Sequence, residues 1–434
     1  MPPAAAFSFD ESIARFREAI EFVNSRIINR AEVIDQIFSA LLMREHALIQ
    51  SRTGAAKSLL AQQIFKTFEG ASLFSVQASK EQQPDTYFGA LDIEELRKGR
   101  LRHNTAGSLV ESEFGFIDEI FDANDYTLRA LLTTLNERAL ILGTQQVPAR
   151  VHTVIAATNY LRVSEITEAL LDRFVFKALF IPTKNGYVQY QIAQRYLSNH
   201  GRASAPERPI PYPLLDRTSR IIRGEDPDVT ISIPLNIIFF ANSVVRHYES
   251  QRNRVIKENP QAHPHVKDFY ISPRTYTRGL DMLRVSAFLH GRSEVTVDDV
   301  GKLWYMHTVV GIKEQRELFQ KCFETIRNQL TAARAFEQIQ RMLEFQELLE
   351  MLKQDASLLE RPITQLDTPV LRRSFLEWAK ETFGFADAGV EGNRRLLEGY
   401  LRTFEPLTEE LHELKQQQEK DLAELFNPAV HIWT

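Results

Sequence analysis

Cysteine is nearly absent: Cys322 is the single one in 434 residues. One thiol excludes an intramolecular disulfide and a cysteine-based zinc site, and it fits a reducing compartment. No apolar run approaches the ~20 residues of a membrane span. Met1 to Phe9 offers no basic stretch ahead of an apolar one, so no secretory signal is expected and a cytoplasmic location is. Charge of one sign is lacking too. Against 52 Lys and Arg stand 57 Asp and Glu, a net charge of −5, which gives no general basic surface for nucleic acid. No repeat at 20–50 residues and no low-complexity tract is present. The composition, 44% hydrophobic and 25% charged, is that of a soluble globular protein. The length suggests two or three domains.

Residues from about 10 to 45 read as two helices. Ile13, Phe16, Ala19, Ile20 and Val23 recur at helical spacing, as do Val33, Ile34, Ile37, Leu41 and Leu42. From about 46 to 182, short apolar runs alternate with helical patterns. Ala47–Gln50, Leu73–Val76, Phe114–Ile117 and Val154–Ala157 are the candidate buried strands. Such an alternation predicts a parallel sheet with crossover helices. Pro182-Thr183 closes this block, and helices broken by a loop with Pro206, Pro209, Pro211 and Pro213 follow to about 310. Ser272-Pro273-Arg274 is a helix start, with Ser272 as N-cap and Pro273 in the first helical position. Between Gly311 and Pro362 neither glycine nor proline occurs, and apolar residues every three or four positions predict one long amphipathic helix or two in tandem. Two further helices are expected after Pro369 and Gly392.

The run Thr53-Gly54-Ala55-Ala56-Lys57-Ser58 lies between a predicted strand and a predicted helix. That is the context of a phosphate-binding loop, where backbone N–H groups and the helix dipole favour an anion. Lys57 would reach the β- and γ-phosphates, and the Ser58 hydroxyl would ligate Mg²⁺. The pattern is incomplete, because its first glycine falls on Ser51 and its last on Ala56. A capped surface helix with an exposed lysine is the alternative. Gly115-Phe116-Ile117-Asp118-Glu119-Ile120 then puts two acids at a strand end. Asp118 would hold Mg²⁺ through water, and Glu119 would polarise the attacking water. Asn159 ends the strand Thr153–Thr158, where a neutral amide can orient water or contact the γ-phosphate. In Leu171-Asp172-Arg173-Phe174, after a short helix, Arg173 either pairs with Asp172 or reaches a neighbour's nucleotide. Arg274 in a first helical turn opposes the dipole at a cost of up to about 1 kcal/mol, which a bound phosphate would offset.

This order of parts resembles an AAA+ ATPase, specifically the MoxR family and most of all its RavA-type branch. Further matching stretches are Phe88-Gly89-Ala90-Leu91, Leu135-Asn136-Glu137-Arg138, Ala157-Thr158-Asn159 and Ala287–Ser293. The resemblance covers about residues 10–310. It implies an α/β fold: a P-loop AAA+ core with a parallel sheet (1–183), an all-α lid (184–310) and an α-helical C-terminal extension (311–434). It implies Walker A at Lys57 and Ser58, with Ser51, Thr53, Gly54, Ala55, Ala56 and Leu59 around the nucleotide. Asp118 and Glu119 match Walker B, Asn159 sensor 1, Arg173 the arginine finger and Arg274 sensor 2. Two family insertions are expected, one at about 85–108 and a hairpin before Asn159. Leu140–Thr144 and Val147–Val151 read independently as strand, turn, strand.

Two departures stand out. Family loops open Gly-Pro-Pro-Gly, whereas this one reads Ser51-Arg52-Thr53-Gly54. Ser51 is expected to cost of order 1 kcal/mol if the turn needs glycine's freedom, and Arg52 is expected to point outward. The β-rich insertion of the RavA-type C-terminal part has no counterpart here, so a partner contact that depends on it is not expected.

The resemblance implies ATP and Mg²⁺ as cofactors and ATP hydrolysis as the activity. It implies a homo-oligomeric ring, expected to be a hexamer, with a von Willebrand A-domain partner and a chaperone-like action on a client protein. An arginine finger acting between subunits requires a repeated head-to-tail interface. Two alternatives are a DNA-dependent motor and a nucleotide-gated scaffold with slow turnover. The motor predicts several basic residues on the hairpin, but Ile141–Val151 holds only Arg150, so nucleic acid is not expected as a partner.

Overall fold

The continuous apolar runs form strands because both their faces are covered. In the computed structural model the strands are β1 Ala47–Ser51, β2 Phe68–Glu69, β3 Leu73–Gln77, β4 Phe114–Asp118, β5 Ala139–Leu142, β6 Gln145–Pro148, β7 Thr153–Thr158, β8 Phe176–Phe180 and β9 Ile210–Pro211. The structure describes residues 7–52, 54–100, 102–142, 145–160, 162, 165–181, 185–258, 269–307, 315–332, 335–366, 375–376, 378–379 and 389–427. Thr53, Leu101, Gly143, Thr144, Pro182, Thr183 and Pro369 lie outside them.

The main sheet has the order β3-β4-β7-β1-β8, and all four pairings are parallel. The register places Gln50 beside Thr158 and Ile117 beside Ala156. The carboxyl ends of β1, β4 and β7 therefore share one edge of the sheet, where ligands bind in open α/β folds. Every residue of β7, in the middle, is buried. Ile117, Val154 and Ala156 pack with Phe88, Leu128, Leu131, Leu135, Leu170 and Phe174 in one core.

Two strand expectations are corrected. β3 is an edge strand, not a buried one: Leu73 is 42% exposed. β8 escaped the search for continuous runs because it pairs on one side only. Its pattern alternates, with Phe176, Ala178 and Phe180 buried and Lys177 and Leu179 half-buried.

Two compact units emerge, Met1–Ile233 with Glu249–Gln320, and Pro234–Tyr248 with Lys321–Thr434. The first holds the sheet. Its helices Phe9–Arg26 and Ala31–Met43 fall where the periodicity placed them. Leu171-Asp172-Arg173 forms the last turn of the helix Glu165–Arg173 rather than following it. Between β3 and β4 the short helices Asp85–Phe88 and Ile93–Arg97 appear. Gly89 joins them at φ +96, and a Cβ there would meet the Asn104 carbonyl oxygen at 1.8 Å. Only glycine fits so close an approach. β5 and β6 form the expected antiparallel hairpin, with Ala139 beside Pro148. Its second arm is Gln145–Pro148, not Val147–Val151. Beyond Pro148 the chain turns away, the Ala149 amide donating to the Arg138 carbonyl at 2.8 Å and the Arg150 amide to Val110 at 2.7 Å.

In the second unit the run after 311 is two tandem helices whose bounds are Gln315–Ala332 and Ala335–Gln354, the first of them starting in the other unit. Gly392 starts no helix; it lies inside Val390–Arg402, which begins after Gly389 at φ +127. Phe345 meets Tyr400 and Phe404 edge-on at 5.5 and 5.7 Å. Among the described residues beyond 311 no strand forms. Among the described residues no helix is long and apolar enough to cross a membrane.

Candidate functional site

The helix Lys57–Phe65 starts directly behind β1. Ala56, at its N-cap, is left-handed with φ 62 and ψ 33, and among the described residues no side chain caps the first-turn amides. Gly54 has φ +79, with open space where a Cβ would stand. The turn thus presents backbone donors to an anion. Ser51 corrects an expectation. It is the last residue of β1, beside Phe180, and its φ is not positive. It needs no glycine, and the left-handed strain of the loop sits at Ala56. The Ser51 hydroxyl donates to the Arg52 carbonyl at 3.0 Å, and Arg52 itself is exposed.

Five of the expected residues meet at the shared sheet edge. The Lys57 ammonium, 6% exposed, stands 3.1 Å from Glu119 Oε1 and donates also to Asn159 Oδ1. The Ser58 hydroxyl donates to Asp118 Oδ2 at 3.0 Å. The Asn159 amide donates to Glu119 Oε2 at 3.0 Å, and its side-chain amide donates to Oε1. Glu119 has φ 51, a left-handed conformation held by its own N–H donating to Asp118 Oδ1 at 3.0 Å. Strain of this kind concentrates at functional sites.

The residues fit a magnesium nucleotide. One hydroxyl and one carboxylate oxygen lie together, and hard-cation sites of this kind fill the remaining positions with water and phosphate. Lys57 and the bare amides of the turn would meet phosphate oxygens.

Arg173 and Arg274 form a second group. Among the described residues no hydrogen bond or ion pair joins it to the first. Arg173 Nη1 lies 3.3 Å from Asp172 Oδ2, so within one chain it makes the local pair. Ser272 caps the helix Pro273–Leu289, accepting from the Thr275 amide at 3.2 Å, and its hydroxyl approaches Asp172 Oδ1 at 3.4 Å. Arg274 Nη1 donates to Asn136 Oδ1 at 2.8 Å. Burial, together with the neighbouring charge of Arg173, pushes the Arg274 guanidinium below its ordinary pKa.

Several polar residues around this junction carried no role in the sequence. Glu45 is buried and pairs with Arg278 at 2.9 Å; burial raises its carboxyl above the usual range, and Arg278 opposes that shift. Arg138 is left-handed at φ 51, and burial pushes its guanidinium down to about 10. That guanidinium donates to the carbonyls of Val151 and His152, each at 2.7 Å, and to that of Arg44. The sequence signalled only Arg138, through the matching stretch Leu135–Arg138, which named residues but not contacts; Glu45 and Arg278 carried no signal.

Residues 14–196 match the family described as the MoxR domain in the MoxR-vWA-beta-propeller ternary systems. Residues 252–321 match the AAA lid domain. An uncharacterized protein of Methanocaldococcus jannaschii is 26% identical over 301 residues, covering 67% of this chain and 69% of its own. A second one from that organism is 33% identical over 158 residues, which cover 36% of this chain and 42% of its own. Chaperone MoxR1 of Mycobacterium tuberculosis is 27% identical over 180 residues, 41% of this chain and 47% of its own. The chain thus spans less than half the length of two of these three relatives. A solved structure of a candidate ATPase from Cytophaga hutchinsonii superposes with a TM-score of 0.55 over 74% of this chain and 95% of that one. At 17% identity that likeness speaks for the fold alone.

Proposed function

From a chain with an α/β P-loop AAA+ fold, a MoxR-type domain at residues 14–196 and an AAA lid domain at 252–321, we propose an ATP-hydrolysing remodelling factor. The observation that carries this is the meeting of Lys57, Ser58, Asp118, Glu119 and Asn159 at one sheet edge. Lys57 and the segment running from Ser51 at the end of β1 through Thr53, Gly54, Ala55 and Ala56 to Leu59 in the helix bind the phosphates. Ser58 and Asp118 hold Mg²⁺, which supplies charge neutralisation on the phosphates. Glu119 takes the proton of the attacking water, and Asn159 orients Glu119 and that water. Arg173 serves the site of an adjacent copy, and Arg274 reports on the lid. Residues 1–183 act as nucleotide core, 184–310 as lid and 311–434 as extension.

The same reading includes a ring, a hexamer by family habit, in the cytoplasm. Its partner is a von Willebrand A-domain protein, in line with the ternary systems after which the matching domain is described. Its action is chaperone-like on a client protein, and nothing calls for the RavA-type insertion. The DNA motor gains no support, since neither β5 nor β6 carries a lysine or arginine. The slow scaffold, motivated by Ser51 and Arg52, keeps only Arg52 as a motive, since Ser51 ends β1 without a positive φ.

Steady-state ATPase measurement with Mg²⁺ tests the proposal. Turnover in the wild type that vanishes in Glu119→Gln supports it. A wild type without turnover, with or without DNA, sinks it.

A further inference from the structure

Resting on the ATPase reading above, we propose that Asn136 is a positioning residue. It holds the Arg274 guanidinium beside Arg173 and ties the lid helix Pro273–Leu289 to the foot of the hairpin β5–β6. Three observations carry this.

First, Arg274 needs an acceptor. It is half-buried near a second guanidinium, that of Arg173, and like charges push each other apart. Asn136 Oδ1 accepts from it at 2.8 Å. Second, the acceptor is a neutral amide. It fixes the guanidinium without cancelling its charge, so the charge remains for an anion. An aspartate at the same place would neutralise it. Third, Asn136 stands on a locked piece of backbone. The preceding Leu135 carbonyl accepts from His46 Nε2 at 3.3 Å. Two residues on, Arg138 pins the carbonyls of Val151 and His152. β5 begins immediately afterwards, at Ala139. A shift of the lid helix therefore pulls on the hairpin's foot through one side-chain bond, and the hairpin's position bears back on Arg274.

Two sets of variants test this. In the nucleotide-free protein, Asn136→Ala, Arg274→Ala and the double variant form a cycle read by thermal unfolding. The two residues share one bond, while Asn136 also donates to Glu137, so the double variant should lose clearly less than the sum of the two single losses. Additive losses overturn the tie. In ATPase assays Asn136→Ala should lower kcat about tenfold or more, the worth of a hydrogen bond to a charged group. The affinity for a fluorescent ATP analogue should stay as it was, since Lys57 and its partners are untouched. The double variant should turn over no more slowly than Arg274→Ala. If Asn136→Ala does not fold, Asn136→Asp serves, being of the same shape. It should still lose kcat, because it cancels the charge of Arg274, while its carboxylate replaces the amide's bond to Glu137 with a like charge. Wild-type kcat in either variant overturns the positioning role. A wild type without turnover would sink the ATPase reading alone, and the unfolding cycle would still decide the tie.

Discussion

The Lys57 ammonium stands 3.1 Å from the Glu119 carboxylate, across the edge where β1 and β4 end. On the proposed function Lys57 would bind phosphate and Glu119 would take a proton from water, yet here the two charges neutralise each other. ATP would have to draw Lys57 away from Glu119 and Asn159 before Glu119 could act. Binding and activation of the base would then be one event.

Lys57→Ala and Glu119→Gln should therefore move in opposite directions. Lys57→Ala loses a charge-assisted phosphate contact, and ATP affinity should fall tenfold or more, about 1.5–3 kcal/mol. Glu119→Gln removes the competing ion pair, so ATP should bind several-fold tighter while turnover falls by about 10²–10⁴. Titration with a fluorescent analogue, alongside phosphate release, reads both. Weaker binding by Glu119→Gln would contradict the competition.

Arg173 pairs with Asp172 within its own chain, and its side chain is 25% exposed. If it serves a neighbour's site, inactive Arg173→Ala and inactive Glu119→Gln subunits complement each other when mixed. In an equal mixture up to about one interface in four combines an intact Glu119 with an intact Arg173. Recovery to that level is expected. Mixed assemblies as silent as their parents would leave Arg173 as a local ion pair.

Ala56→Gly should stabilise the nucleotide-free protein. An alanine at φ 62 costs about 1–2 kcal/mol, and the glycine returns about 0.5–1 through unfolded-chain entropy. A gain of up to ~1 kcal/mol, a rise of roughly 2 °C, is the expected result of calorimetry. A lower melting temperature would mean that the alanine methyl contributes packing that outweighs its strain.

Stability should fall as pH drops from 6.5 toward 5. Burial holds His46 and His152 well below the usual imidazole range, and it pushes His307 down to about 3. Their folded pKa values lie below the unfolded one. The stability they contribute is complete above about pH 6.5 and is lost below it, because unfolding then takes up protons. Each adds a slope approaching about 1.4 kcal/mol per pH unit. Denaturant midpoints at pH 7.5, 6.5, 5.5 and 5 would show it. A flat profile would mean that these imidazoles stay charged, or reach solvent, in the native protein.

The sequence by itself determined the parts. The spacing of Ile13, Phe16 and Val23 specified a helix, and the runs ending at Gln50, Ile117 and Ala157 specified strands, because burial on one face or two leaves a period behind. The loop at Gly54–Ser58, the acids Asp118 and Glu119, and the start at Ser272 were legible because each chemistry depends on neighbours along the chain. Tertiary structure decided what depends on neighbours in space. Parallel register brought together the segments that follow β1, β4 and β7, and with them Lys57, Glu119 and Asn159. Only the strand order made β3 and β8 edges, which changes their patterns from continuous to alternating. Backbone path moved the loop's strain from Ser51 to Ala56, since φ follows from where the strand stops. The bond from Arg274 to Asn136 spans 138 positions, and no local periodicity encodes a contact between a helix start and a hairpin's foot.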